Sequence, residues 1–324
     1  YWYGENKERT LKGENIWHWG VRCYVSRDLY NWEDKGLIIP PDLDDPASPI
    51  YPASLMDRPH ILYNELTGKY VCWLKIMGDG ASQSMTVLTA DDFFGPYTII
   101  KKGYKPLGMS SGDFDFGVDP VTKKAYYFFE KVHTEIICAE LSDDYTAASG
   151  VYSSHFPHPH PPHVREAPVH FVRHGRHYLF TSGTTGYYPN PSEVAVADDW
   201  HGPYTVLGNP HPTDQSETSF RSQITDVLQV PGKDDLFIAI ADRWLPHFPQ
   251  SRLVSRLVAG AFDRMFSVPR PDQAKDQEKA SSRKKPTFNN YNTAFANYVW
   301  LPIRFEGDMP IIDWKDEWRL EDYQ

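Results

Sequence analysis

Short runs of β-branched and aromatic residues, five to nine long and bounded by Gly, Pro, Asp or Asn, recur along the chain. GKYVCWLK (68–75), HYLFTSG (177–183), LFIAIADRW (236–244) and NYVWLPIRF (297–305) are examples. Such runs read as strands, and helical periodicity is scarce, so the pattern predicts an all-β chain. The runs fall into repeated units. DDFFGPYT (91–98) returns as DDWHGPYT (198–205), 107 positions later, matching at both aspartates and through GPYT. Weaker echoes, an Asp followed by a large apolar residue, stand at Asp28-Leu29, Asp92-Phe93, Asp144-Tyr145 and Asp199-Trp200, spaced by 64, 52 and 55 residues. Units of about 50 residues with several short strands each describe propeller blades. Four units are visible and Gln223 begins a fifth, which predicts one five-bladed β-propeller over residues 1–324.

Two features disturb the repeat. The opening YWYGE reads as the second half of a strand motif, so a first strand is expected upstream of Tyr1; the C-terminal IIDWKDEWRL is then expected to pair with the opening blade. The fifth unit is interrupted by a polar stretch at about 267–290, densest at 269–286, which holds too few apolar residues to pack a core. A mobile surface loop is expected there.

Composition narrows the partners. Aromatic residues make up 15% of the chain, which suits strands and also the stacking of sugar rings. A net charge of -10 disfavours nucleic acid or an anionic membrane as partner, and no apolar run is long enough to span a bilayer. A neutral substrate fits. Cys23, Cys72 and Cys138 lie among apolar residues without metal-ligand spacing and read as reduced core thiols.

Polar residues at the heads of these strand units are unexpected unless used. Glu166 interrupts the apolar VREAPVHF; Asp113 and Asp115 lie in SSGDFDFGVD; Gln223 lies in SFRSQITDV. A glycosidic bond needs a protonated carboxyl beside its leaving oxygen, and burial or a neighbouring carboxylate would raise Glu166 into that role. A structural ion pair is the plain alternative. Arg165 should face away, since adjacent strand residues point to opposite sides. HFPHPHPPH (155–163) carries four histidines, but its prolines make it a stiff loop at the funnel rim. No metal site and no cofactor is expected.

The strings YWYGE, SRDLYNW, DRPHILYN with TGKYVCW, GPY, the Ser111–Asp113 S-x-D, REAPV, TTGYYPN, SQITDV, DRW and YVWLP follow one another in an order that resembles glycoside hydrolase family 43. The likeness is greatest to its exo-β-1,3-galactanase-like branches and runs from Tyr1 to about Arg319, sparing the insertion. It implies that Glu166 is the general acid, Asp113 the carboxylate that tunes it, and Gln223 the amide holding the attacking water. Asp115 is the alternative to Asp113. Glu5, Asp57, Tyr187 and Asn190 are the implied substrate contacts. Asp57 stands where those relatives carry Glu, and Tyr187 where they carry Trp. An inverting mechanism would place Glu166 and Gln223 about 6.5–9.5 Å apart. The expected activity is exo-acting, inverting cleavage of galactan or arabinogalactan side chains. The rivals are an α-L-arabinofuranosidase or β-xylosidase of the same family, and a carbohydrate-binding propeller without catalysis.

Overall fold

The computed structural model describes residues 1–78, 82–267 and 292–323, and each strand-like run of the sequence lies in one of five antiparallel sheets. The first blade holds β1 (Trp2–Glu5), β2 (Val21–Ser26) and β3 (Trp32–Ile39); one turn of helix, α1 (Glu8–Leu11), follows β1. The second holds β4 (Met56–Asn64), β5 (Lys69–Met77), β6 (Gln83–Ala90) and β7 (Thr98–Tyr104). The third holds β8 (Ser111–Val118), β9 (Ala125–Lys131), β10 (Glu135–Leu141) and β11 (Ala148–His155). The fourth comprises β12 (Arg165–Arg173), β13 (Arg176–Gly183), β14 (Glu193–Ala197) and β15 (Thr205–Gly208). The fifth comprises β16 (Gln223–Gln229), β17 (Phe237–Arg243), β18 (Asn297–Glu306) and β19 (Met309–Ile312). This is a five-bladed β-propeller.

The repeated aspartate has a local cause. Asp28, Asp92, Asp144 and Asp199 each accept a hydrogen bond from the backbone N–H two residues on, at 2.9, 2.8, 3.1 and 2.9 Å. The side chain thereby closes a tight turn that the backbone alone would leave unsatisfied. In the second, third and fourth blades this turn joins the third strand to the fourth; in the first it joins β2 to β3. By that correspondence β1, β2 and β3 take the second, third and fourth places of their blade.

Sheets pack face to face, so both faces of the middle strands are buried and their sequences read as near-continuous apolar runs. Val71, Trp73 and Val87 of the second sheet meet Phe114, Phe116, Tyr127 and Phe129 of the third. Val169, Phe171, Tyr178 and Phe180 of the fourth meet Phe237, Ala239, Leu301 and Ile303 of the fifth. Each such side chain contributes about 1.5–3 kcal/mol on leaving water. Trp2 of β1 lies edge-on against Tyr298 and Trp300 of β18, at 4.8 and 5.6 Å between ring centres, and joins the first blade to the fifth. All three cysteines are buried and free.

One expectation is corrected. The C-terminal strand does not pair with the opening blade: β19 pairs with β18, Glu306 opposite Met309 and Ile303 opposite Ile312. Gly307, at φ 61°, permits the two-residue turn that makes this local pairing available first. The tail reaches the opening blade only beyond β19, where Tyr30 donates to Glu321 at 2.9 Å and accepts from the Leu320 N–H at 2.8 Å. Between β17 and β18 the chain also forms a helix, α2 (Arg252–Phe266), ahead of the segment expected to be a loop. It buries Ser255 and Phe262, about two turns apart on one side: Ser255 Oγ donates to the Glu217 carbonyl at 3.0 Å, and Phe262 meets Tyr188 between β13 and β14. Most of the segment expected to be a mobile loop, 268–290, lies outside the described residues.

Candidate active site

An antiparallel hairpin brings the start of its first strand and the end of its second to the same end of a blade. The propeller sets five such ends around one funnel. Asp57 lies opposite Lys75, Glu166 opposite Ser182, and Gln223 opposite Asp242. In the third blade Asp113 and Glu130 hold the corresponding places, and β1 ends in Glu5. The register of β4, β8, β12 and β16 shifts just after these starts, between Asp57 and His60, Ser111 and Phe114, Glu166 and Val169, and Ile224 and Asp226. An extra residue in the strand re-aims its neighbours, and Arg58 and Ala167 take φ of 47° and 48° there.

Charges in the funnel are arranged in layers. Asp113 receives Arg58 Nε at 2.9 Å and Lys75 Nζ at 2.7 Å on one oxygen. Burial alone would raise this carboxyl, but the two cations outweigh it and hold it at about 2. Lys75 also faces Asp57 at 3.6 Å, and Asp57 accepts from Trp17 Nε1 at 3.0 Å. Among the described residues Glu166 has no such cation at hydrogen-bond range. Burial, then the fixed charge of Asp113 and that of Glu130, push it well above the usual carboxylate range. The Gln223 amide joins the two halves: its oxygen accepts from Arg58 Nη2 at 2.8 Å, and its nitrogen donates to Ser182 Oγ at 2.8 Å and to Glu166 Oε1 at 3.4 Å. Glu5 is raised by burial and by Asp57. Asp242 is pushed up to about 7 by burial, against the pull of Arg58 and with the help of Glu5, Asp113 and Asp57. Such a set holds one carboxyl protonated and another ionised at the same pH, the requirement for acid-assisted cleavage.

The structure brings Glu166, Asp113, Gln223, Glu5 and Asp57 into this one charge network. Asp115 lies elsewhere: its oxygens accept from the backbone N–H groups of Phe116 and His170, each at 2.7 Å, further along the axis. Tyr187 borders the cleft that Gln223 and Asp242 line, with its ring 5.5 Å from that of Trp244. Arg165 turns away as expected and donates to Thr181 Oγ1 and to the Thr181 carbonyl, both at 2.9 Å.

One expectation about the site is corrected. Glu166 and Gln223 touch at 3.4 Å rather than standing about 6.5–9.5 Å apart, because β12 and β16 are neighbouring axial strands and both side chains leave from strand starts. Asn190 lines the same cleft as Tyr187 and Gln223, with its amide hydrogen-bonded within its own loop. Its oxygen accepts from the Gly183 N–H, and its nitrogen donates to the Gly183 carbonyl and to Thr185 Oγ1, all at 2.7 Å. It braces the loop that carries Tyr187. The histidines of 155–163 diverge: His155 bonds Ser153 Oγ at 2.8 Å, His160 the Pro161 carbonyl at 2.7 Å, and His163 faces Asp263 of α2 at 3.4 Å. Arg58, Lys75, Glu130, Ser182 and Asp242 were not singled out from the sequence. Lys75, Glu130 and Asp242 share a legible signal, a charge at the end of the second strand in YVCWLKIM, AYYFFEK and FIAIADR.

Residues 4–255 match the sequence profile of glycosyl hydrolases family 43. The chain belongs to that family. As a family 43 member it is a glycoside hydrolase, and solved structures agree along its length. A family 43 β-1,3-galactosidase is 27% identical, with a TM-score of 0.75 over 99% of this chain and 57% of its own. A second, solved with galactodeoxynojirimycin, is 26% identical with a TM-score of 0.70, covering 93% of this chain and 87% of its own. An exo-β-1,3-galactanase from Clostridium thermocellum is 25% identical with a TM-score of 0.69, over 96% of this chain and 58% of its own. The chain thus spans a little under three fifths of two of these relatives. No curated protein sequence matches it.

Proposed function

We propose that this family 43 enzyme removes terminal galactose from β-1,3-linked galactan by inverting, exo-acting hydrolysis. The observation that carries the reading is the contrast between Glu166 and Asp113. Glu166 is buried without a cation partner among the described residues and keeps its proton; Asp113, ionised between Arg58 and Lys75, supplies the charge that keeps it there. Glu166 then protonates the leaving oxygen as the C1–O bond breaks, and water adds to C1 from the opposite face. Glu5 and Asp57 offer acceptors for sugar hydroxyls, and Tyr187 with Trp244 offers an aromatic wall. Galactose as the sugar is supported by the β-1,3-galactosidases and the exo-β-1,3-galactanase of similar structure. Oligosaccharide as the substrate form is supported by likeness of fold to an exo-β-1,3-galactanase from Phanerochaete chrysosporium solved with β-1,3-galactotriose.

A panel of nitrophenyl β-galactoside, α-L-arabinofuranoside and β-xyloside, run beside β-1,3-galactobiose, tests the reading. Turnover of the galactosides well above the other two is expected. Preference for the arabinofuranoside or xyloside would replace the substrate, and binding of galactan without release of sugar would replace the activity.

A further inference from the structure

We propose that a hydroxyl-lined cavity on the rim of the second blade is a second saccharide-binding site, one that holds a neutral polysaccharide beside the funnel. The proposal rests on the galactan-degrading function proposed above. The cavity has a volume of about 400 Å³ and lies between the loop that leads from β3 into β4 and the strands β5, β6 and β7. That volume falls within the range of small-molecule sites. None of Glu5, Asp57, Asp113, Glu166 and Gln223 lines it.

Five hydroxyl-bearing side chains surround this cavity: Ser48, Tyr51, Ser54, Ser84 and Thr86. The hydroxyls of Tyr51, Ser54 and Ser84 belong to half-buried residues and make no hydrogen bond among the described residues. Thr86, 0% exposed, forms part of the floor, and its Oγ1 also lacks a partner. Ser48, 2% exposed, lies beside Asp42 and helps to lower that carboxyl, yet its Oγ closes no hydrogen bond of ordinary geometry. Buried hydroxyls are paired in the great majority of cases, since an unpaired one forfeits its bond with water. A set of unpaired hydroxyls around one cavity suits a partner rich in hydroxyls, because each group donates and accepts as a sugar hydroxyl does. Pro46, Pro49 and Ile76 supply apolar surface for the C–H face of a sugar ring. Lys102, the one charged side chain among the described residues lining the cavity, faces Asp45 Oδ2 at 3.9 Å. Its charge is thereby offset, which favours a neutral ligand over an anion.

The backbone builds the cavity in advance. Met85 pairs with Tyr104 and Val87 with Lys101, so Lys102 and Gly103 together stand opposite Thr86. This bulge takes Thr86 out of regular cross-strand pairing. Gly103 takes φ of 61°, and a Cβ there would meet nothing within 4 Å. The facing loop is held by its own turns: the Ser48, Tyr51 and Ser54 N–H groups donate to the Asp45, Ser48 and Tyr51 carbonyls at 2.9, 3.0 and 2.8 Å. A wall already fixed loses little freedom when a ligand arrives.

Its position links it to the funnel. β4 and β6 start, and β5 and β7 end, at the end of the blade that carries Asp57 and Lys75. Ile76, Ser84 and Lys102 lie within two residues of those strand ends. β6 stands two strands out from β4, roughly 10 Å at the usual strand spacing. A polysaccharide bound there presents its free end to the funnel at an effective concentration above that in solution.

The test compares wild type with the double variant Ser54→Ala, Ser84→Ala, which removes two hydroxyls, and with Ser84→Trp, which fills the cavity. Kinetics are measured on β-1,3-galactan and on nitrophenyl β-galactoside. The same changes, in a Glu166→Gln background, are run on gels containing β-1,3-galactan, arabinan or xylan. Both variants are expected to raise KM on β-1,3-galactan about tenfold, as the loss of two ordinary hydrogen bonds would. They should also lose retardation by galactan and keep wild-type kinetics on nitrophenyl β-galactoside. If Ser84→Trp does not fold, the double variant decides alone. Wild-type KM and retardation in the double variant would show that the cavity holds solvent only and overturn the proposal. A KM raised equally on both substrates would place the effect in the funnel and overturn it as well. Retardation by arabinan or xylan that the variants lose would keep the site and replace galactan as the substrate. Turnover of galactosides with no retardation by any of the three polymers would remove the site and leave the proposed function standing.

Discussion

Glu166 and Asp113 divide one job because their surroundings differ by two cations. Replacing Glu166 with Gln removes the proton donor and keeps the shape, so turnover of β-1,3-galactobiose should fall by about 10²–10⁴-fold. A nitrophenyl β-galactoside, whose leaving group needs little protonation, should lose far less; equal small losses on both would take the acid role from Glu166. Asp113→Asn should shift the pH profile in a defined direction. In the proposed mechanism activity needs Glu166 protonated, so it is lost as pH rises through the raised value of that carboxyl. Removing the Asp113 charge, and leaving Arg58 without its ion-pair partner and Lys75 with Asp57 alone, lowers that value, so the basic limb should move to lower pH. A basic limb that stays in place would mean that burial alone sets Glu166. Glu166, Asp113 and Gln223 were legible because each interrupts an apolar strand start. Their partners Arg58, Lys75, Ser182 and Asp242 were harder to see, since the pairing that brings them near depends on register, and each strand has a bulge at that point.

Among the elements, the first hairpin of each blade positions the chemistry and the last turn holds the blade together. The turn was readable from its aspartate, because an Asx turn is a local device. Helix α2 was not, because its apolar positions serve a short contact at the rim rather than a core. Phe262 meets Tyr188 at 6.4 Å between ring centres and approaches Gly186, on either side of Tyr187 in the loop that Asn190 braces. Phe262→Ala should loosen that loop and raise KM several-fold on β-1,3-galactobiose, with kcat changed less. A KM unchanged within twofold would remove α2 from the pocket's support. Gly112 is a second element-level test. A Cβ there would lie 2.2 Å from Glu130 Oε2 and 3.3 Å from its Cβ, and Glu130 is only 2% exposed. Gly112→Ala should therefore cost about 1–3 kcal/mol of stability by overpacking, read as a lower melting temperature. A melting temperature like that of wild type would show that Glu130 can move aside.

For the whole molecule, two sets of buried groups respond to acid in opposite ways. His18, His155 and His211 are pushed down to about 4 and His60 to about 3, chiefly by burial. The unfolded chain takes protons on these groups first, so their contribution is complete above about pH 6.5 and is lost as pH falls toward 4. Glu5, Glu166 and Asp242 are raised, bind protons first in the folded chain, and strengthen it over part of the same range. Replacing His211, 3% exposed, with Gln should tip this balance. Whatever its cost at pH 7, the variant should gain on wild type as pH falls from 6.5 to 4, by up to about 1.4 kcal/mol per pH unit. Parallel stability curves would show that His211 is protonated in both states. The central claim, that the funnel inverts configuration while releasing one terminal sugar, is tested most directly by following the first minutes of β-1,3-galactotriose hydrolysis by proton NMR. The account expects free galactose to appear first as the α-anomer, alongside β-1,3-galactobiose. Galactose that appears first as the β-anomer, or internal cleavage before any galactose is released, would contradict it.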